Sequence, residues 1–283
     1  MKSAIVQTLF VVSILLLIFT ILGDTTSLGR TGRVPIRNWE QYDVELIQQT
    51  PNLAALERYA AAQLNGTDAQ KIRQLYDIVC ARFGHSEGAR YNLFSNWILW
   101  GLGWLAEPAG ARGDIQAIRN VDSLLRLSDH GLCSQVNYML VALTQRFGYP
   151  SRHVGLNGHV TMEIFHDGAW RMYDPDFEVM IEDENGNVLG VHELETRPDL
   201  VDEYFTPHGG GGAAVACFTT AVDNTFVSYP PGAWFSWKAQ VMTFFEAACQ
   251  WLKYLVPLVG ILIFTLSWRR PNRRGRKLSV QLP

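Results

Sequence analysis

Two stretches of the chain, 4–22 and 251–268, are apolar almost without interruption and long enough to cross a bilayer. Between them the pattern breaks into helical and strand periods. Residues 52–63 are Ala-rich and predict a helix. Thr67 and Gln70 form a capping-box pair ahead of a second helix, whose apolar stripe is Ile72, Leu75, Tyr76, Val79, Cys80 and Phe83 and whose stop is Gly84. Residues 121–127 predict a further short helix. Val136, Met139, Leu140, Leu143 and Phe147 recur at three- and four-residue spacings, which predicts a helix opening at Cys133 and stopping at Gly148 before Pro150. From His159 to Phe165 the period drops to two, with Val160, Met162 and Ile164 on one face and His159, Thr161, Glu163 and Phe165 on the other. Asp167-Gly168 is a preferred two-residue hairpin turn, and Trp170 to Asp174 reads as the return strand. In that register Phe165 faces Trp170, Thr161 faces Asp174, and His159 lies diagonal to Asp174. Helices followed by a hairpin predict an α+β fold rather than alternating α/β units.

Chemistry concentrates in the last two elements. Cys133 falls in a first helical turn, where unpaired backbone N–H groups and the helix dipole favour an anion and hence a thiolate. Diagonal cross-strand neighbours are about 7–8 Å apart at the backbone, near enough for the Asp174 carboxylate to reach the His159 ring. A thiol, an imidazole and a carboxylate then stand in the order of a nucleophilic triad. Cys133 is the nucleophile, His159 the base, and Asp174 the group that fixes the tautomer and stabilises the imidazolium. Taken singly, the three would read as a core thiol and two ordinary polar residues. Asp176 is a second carboxylate close by. An oxyanion hole needs the Cys133 N–H and one further donor.

The segments GLC (131–133), RFGYPSRHVGL (146–156), GH (158–159) and DGAWRMYDPD (167–176) resemble the transglutaminase-like superfamily, in the manner of a bacterial membrane-anchored member. The resemblance covers residues 124–179, and Thr161 departs from it where many bacterial members carry an aromatic residue. It implies a papain-like core, in which a helix bearing the Cys packs on an antiparallel sheet bearing the His and Asp. It also implies Cys133, His159 and Asp174 as catalytic residues, and acyl transfer or amide hydrolysis as the reaction. The second oxyanion donor would come from well upstream of the cysteine; Trp97 in SNWILWGLGW is the candidate, with Asn96 and Gln135 as rivals. Members of the superfamily also include inactive modules. The alternative is therefore a non-catalytic binding or scaffold module in cell-envelope polymer assembly or export. No cofactor is expected, and the seven His and four Cys show no metal-ligand spacing.

The ends of the chain suggest where this chemistry happens. Residues 1–23 read as a transmembrane anchor, with a cleaved signal peptide as the alternative; TILGD lacks a small-x-small cleavage site. Residues 250–268 read as a second span, with Lys253 snorkelling at its outer edge. Residues 269–283 form a basic tail that, with Lys2, places both termini in the cytoplasm, against the opposing pull of Arg30, Arg33 and Arg37. Residues 24–50 are then a linker, and 51–245 a periplasmic or extracellular domain on the plasma (inner) membrane. Of 24 basic residues, six lie in the tail and two flank the spans. The remaining 16 face 27 acidic ones, so the exterior carries about −11. That charge excludes nucleic acid as a partner. It leaves the bilayer, and an envelope protein, peptide or amide-bearing polymer as substrate. Cys80 and Cys217 are a candidate disulfide that would leave Cys133 free, although Cys133 could itself be paired with either. Gly209–Gly212 reads as a lid or a surface loop, and His208 as a rival base.

Overall fold

The computed structural model describes residues 2–31, 35–220, 225–228 and 237–269. Arg33 and the basic run from Arg270 onward lie outside the described residues. The chain opens with α1 (Lys2–Thr25), then α2 (Val44–Gln49), α3 (Leu53–Ala61) and α4 (Asp68–Arg82). Asp43, Asn52 and Thr67 cap the last three by accepting first-turn N–H groups, and the Thr67–Gln70 box closes in both directions. A short β1 (Gly84–His85) leads to α5 (Leu93–Ala106), α6 (Arg112–Gln116) and α7 (Val121–Leu127). Next, β2 (His130–Gly131) runs into α8 (Cys133–Arg146), followed by β3 (Ser151–Gly155), β4 (Val160–His166) and β5 (Ala169–Tyr173). The remaining elements are α9 (Val191–Leu194), α10 (Pro198–Phe205), α11 (Gly211–Thr219), β6 (Thr225–Ser228) and α12 (Trp237–Arg269). The protein is a mixed helix–sheet fold with a long apolar helix at each end.

The main sheet is antiparallel, in the order β5-β4-β3-β6. Phe165 pairs with Trp170 and Met162 with Tyr173, the register expected from the hairpin turn. Asp167 and Gly168 take φ of 49° and 79°, the left-handed pair that a two-residue turn between right-twisted strands requires. The predicted hairpin is thus the outer half of a larger sheet, whose other half, β3 and β6, carries little periodic signal.

Both faces of the sheet are covered. Met162, Ile164 and Tyr173 join the core formed with α4 and α8, whereas Val154 and Met172 join a second core with α9, α10 and α11. The face that is polar in sequence is therefore buried as well. Glu163 is 1% exposed and is paired by Arg152 at 2.6 and 2.8 Å and by the Val191 N–H at 2.8 Å.

The terminal helices pack on each other and on α5. Phe10 stacks on Phe264 with ring centroids 4.0 Å apart. A Cβ on Gly260 would lie 2.1 Å from Ser13 Oγ and 3.2 Å from Ser13 Cβ, so glycine lets the two helices approach closely there. Lys253 does not snorkel outward as expected. It is 2% exposed, and its Nζ donates to Asp24 at 2.9 Å and to the Ser95 carbonyl at 3.0 Å, while Arg126 and the Tyr254 hydroxyl also reach Asp24. Inward pairing wins because the first terminal helix brings an acid and α5 a carbonyl to the ammonium, which water would otherwise have to solvate.

Residues 24–50 are not a free linker. The Tyr42 hydroxyl donates to Asp129 at 2.7 Å, Glu40 accepts the His85 N–H at 2.7 Å, and Glu178 accepts the Gln41 N–H at 2.7 Å. The segment straps the domain beside the site, and it includes α2. At the other end, α12 begins at Trp237, so the second apolar helix starts before residue 245.

Candidate active site

Cys133 is the first residue of α8. The N-cap is Leu132, which has no side-chain oxygen to accept first-turn N–H groups, so the helix start is left open to an anion. Gln135 supplies the stabilisation that a conventional cap would give. Its Oε1 accepts the N–H groups of Leu132 (3.1 Å) and Ala89 (2.8 Å), and its Nε2 donates to the carbonyls of Ala89 (3.0 Å) and Ile118 (2.7 Å). Asn137, one turn along, donates to the Cys133 carbonyl at 3.0 Å and to the Val160 carbonyl at 2.8 Å. That amide ties the Cys133 turn to the start of β4, and so to His159.

His159 sits immediately before β4, where a tight reversal returns the chain from β3. Its carbonyl accepts the Leu156 N–H at 2.8 Å, and Gly158 takes φ +93° between them. Asp174 follows β5 and is fully buried. Its Oδ2 lies 2.6 Å from His159 Nε2, and its Oδ1 accepts the N–H groups of Asp176 (3.1 Å) and Phe177 (3.3 Å). With Nε2 committed to Asp174, Nδ1 is the nitrogen available to the thiol. Burial opposes charge on His159, but the Asp174 charge and hydrogen bond, together with Cys133, outweigh it and raise the ring well above its ordinary range. Phe177 packs edge-on over the ring at 5.3 Å and keeps water from it.

A second carboxylate stands at the same place. Cys133 Sγ, a His159 ring nitrogen and an Asp176 oxygen lie within 4.8 Å of one another. Burial pushes the Asp176 carboxyl up, against the pull of His85. His85 Nδ1 is 2.9 Å from Asp176 Oδ1, yet the pair is out of line for a hydrogen bond. The β1–β2 ladder delivers His85: His85 pairs with Gly131, two residues before the cysteine. Only the parallel pairing of two dipeptide strands puts it there, so nothing in the local pattern marks it.

Several expectations are corrected. The indole N–H of Trp97 donates to the Lys253 carbonyl at 3.1 Å, which removes it as an oxyanion donor. That carbonyl lacks its helical partner because the residue four positions on is Pro257, which has no N–H. Asn96 marks a break in α5, with φ −160° and ψ 91°, and its Oδ1 caps the continuing turn at Leu99. All four cysteines are free. Cys80 is buried in the first core, and Cys217 on α11 lies beside Gly158, 3.7 Å from where a Cβ on it would be. Gly209 ends a short turn at φ +81°, and Gly211 opens α11, so the four-glycine run is a helix entrance. His208 packs against Trp39 at 5.2 Å, and burial lowers its basicity.

Beside the first turn of α8 runs a groove of about 330 Å³, with Leu132, Ser134 and Gln135 in one wall and Gly88, Asp114 and Arg119 in others. Another cavity, of about 210 Å³, includes His166 at the far end of β4 from His159; Cys133 lines neither of the two.

No family model matches the sequence, and no curated protein matches it. One solved structure, described as "Crystal structure of a TGase", is similar with 13% identity and a TM-score of 0.29, over 47% of this chain and 31% of that one. The chain thus spans about a third of that protein's length, and the functional reading rests on the residues of the site.

Proposed function

We propose that the chain is a membrane-held thiol enzyme with a transglutaminase-like, papain-like core, carrying out acyl transfer or amide hydrolysis. The observation that supports this most is the placement of His159 between a buried carboxylate 2.6 Å from Nε2 and the thiol that opens α8. A buried carboxylate that raises the imidazole keeps a proton on it at neutral pH, and an imidazolium is the partner that a thiolate needs. Cys133 attacks the acyl carbonyl, and the oxyanion turns toward the open N–H groups at the start of α8. His159 protonates the departing amine. Water then releases the acyl group, or an amine takes it and joins two molecules. The groove beside Ser134 offers room for the acyl chain.

Two helices long and apolar enough to cross a membrane flank the domain, and Asp24 at the end of the first is held by Lys253 of the second. This contact supports a retained anchor rather than a cleaved leader. In this reading both termini are cytoplasmic, the domain faces the periplasm or exterior of the plasma membrane, and the substrates are envelope proteins, peptides or amide-bearing polymers.

The test is iodoacetamide labelling of Cys133 at about pH 6, where an ordinary thiol is almost wholly protonated, read on the Cys133 peptide by mass spectrometry. Fast labelling that drops at least tenfold in His159→Ala and Asp174→Asn is expected. Labelling at the rate of an ordinary thiol in the unaltered chain would overturn the enzyme reading in favour of a scaffold. An acyl adduct on Cys133 in protein taken from its native membrane would name the substrate.

A further inference from the structure

The geometry points to a zinc-class metal site built on Cys133, His159 and Asp176, with His85 beside Asp176. Donor atoms of the first three, one sulfur, one nitrogen and one oxygen, lie within 4.8 Å of one another. A tetrahedral ion with bonds of about 2.0–2.3 Å needs its ligands about 3.5 Å apart, so side-chain shifts of about 1 Å would close the set. Three protein donors with one further position is an arrangement that zinc sites use.

Besides the donor set, the buried contact between Asp176 and His85 suits a cation. Asp176 is 2% exposed, and neither of its oxygens accepts an aligned hydrogen bond, although a buried carboxylate ordinarily takes two or more. His85 Nδ1, 2.9 Å away, is likewise without an aligned partner. A divalent ion would satisfy both, and its two charges would offset those of the Cys133 thiolate and Asp176. The outer shell is also in place. Asp174 holds His159 through Nε2 at 2.6 Å, so Nδ1 is directed inward, the carboxylate–histidine–metal relay that orients ligands in zinc sites. Ligation takes sulfur as thiolate and the ring as neutral imidazole, so the proton that the pair shares leaves to solvent.

The consequence is a competition. Metal and acyl group both need the Cys133 sulfur, so a bound ion silences the nucleophile and shields it from oxidation. The site stands whether or not the thiol reading of the previous subsection holds, and one experiment separates the two.

Full-length protein in detergent, stripped with chelator, is titrated with Co²⁺. A thiolate-to-cobalt charge-transfer band is expected in the near ultraviolet, absent in Cys133→Ser. Zn²⁺ should displace the cobalt and protect Cys133 from iodoacetamide, with reversal by EDTA. Asp176→Asn should raise the zinc concentration for half-protection at least tenfold. No thiolate–cobalt band in the unaltered protein overturns the site, and so does unchanged protection in Asp176→Asn. The cobalt result needs no variant, so a misfolded mutant cannot obscure it. Metal binding with an ordinary labelling rate in the stripped protein would refute the thiol enzyme and keep the metal site; fast labelling without metal binding would do the reverse.

Discussion

The clearest energetic test lies where the apolar terminal helices meet α5, at the Lys253 carbonyl that Pro257 leaves without its helical donor. Trp97 donates to that carbonyl at 3.1 Å and Thr20 at 3.4 Å. Trp97→Phe keeps a ring and removes the N–H. A neutral hydrogen bond contributes about 1 kcal/mol net, and those between membrane helices average about 0.6 kcal/mol. Loss of this bond should therefore cost about 0.6–1 kcal/mol beyond any change in packing. Pro257→Ala supplies a backbone N–H four residues from the carbonyl, so the same Trp97→Phe change should cost less in that background. The packing loss is common to both backgrounds and cancels in the double-mutant cycle. Unfolding of the four proteins in mixed micelles, followed by tryptophan-independent circular dichroism, should give a coupling of about 0.5–1 kcal/mol. Additivity within about 0.3 kcal/mol would refute the idea that Trp97 compensates for the proline.

His153 and His159 should respond to pH in opposite directions. His153, 1% exposed, is pushed down to about 3 by burial, so between about pH 3 and 6.5 the unfolded chain binds a proton that the native chain does not. Stability then rises with pH in that window, and the penalty at pH 5 is about 2 kcal/mol. Denaturant midpoints of His153→Phe should lose this acid slope; equal slopes in both proteins would contradict the argument. His159 is raised, so its pair with Asp174 stabilises the fold fully below about pH 6.5 and less as pH rises through the raised value. The stability gap between the unaltered chain and His159→Gln should accordingly narrow in alkali, and a gap that widened would count against the ion pair. Glu163→Ala, which removes the buried carboxylate from half-buried Arg152, should destabilise by about 3 kcal/mol in chemical unfolding; a loss below about 1 kcal/mol would mean that water replaces it.

The elements that were readable in sequence are those built from neighbours. The helix opening at Cys133, the Thr67–Gln70 box and the Asp167-Gly168 turn each depend on residues within a few positions of one another. The turn alone settles which residues of β4 and β5 face each other, and so sets His159 beside Asp174. The partners of Trp97 and Lys253 were not readable, because each depends on how α1, α5 and α12 lie together, and both expectations about them failed. The disulfide expectation failed for a related reason: sequence counts cysteines, but Cys80 and Cys217 belong to different cores on opposite faces of the sheet.

By itself, then, the sequence determined the local frame of the site: a thiol at a helix start, and an imidazole and carboxylate in one hairpin register. These follow from dihedral preferences and short-period patterning, which act over a turn or a strand. Tertiary structure alone decided that His85 stands against Asp176, that Asn137 binds the helix to the sheet, and that Trp97 serves a proline-freed carbonyl. Such contacts join segments tens to more than a hundred residues apart, and their free energy arises only when packing removes both sides from water.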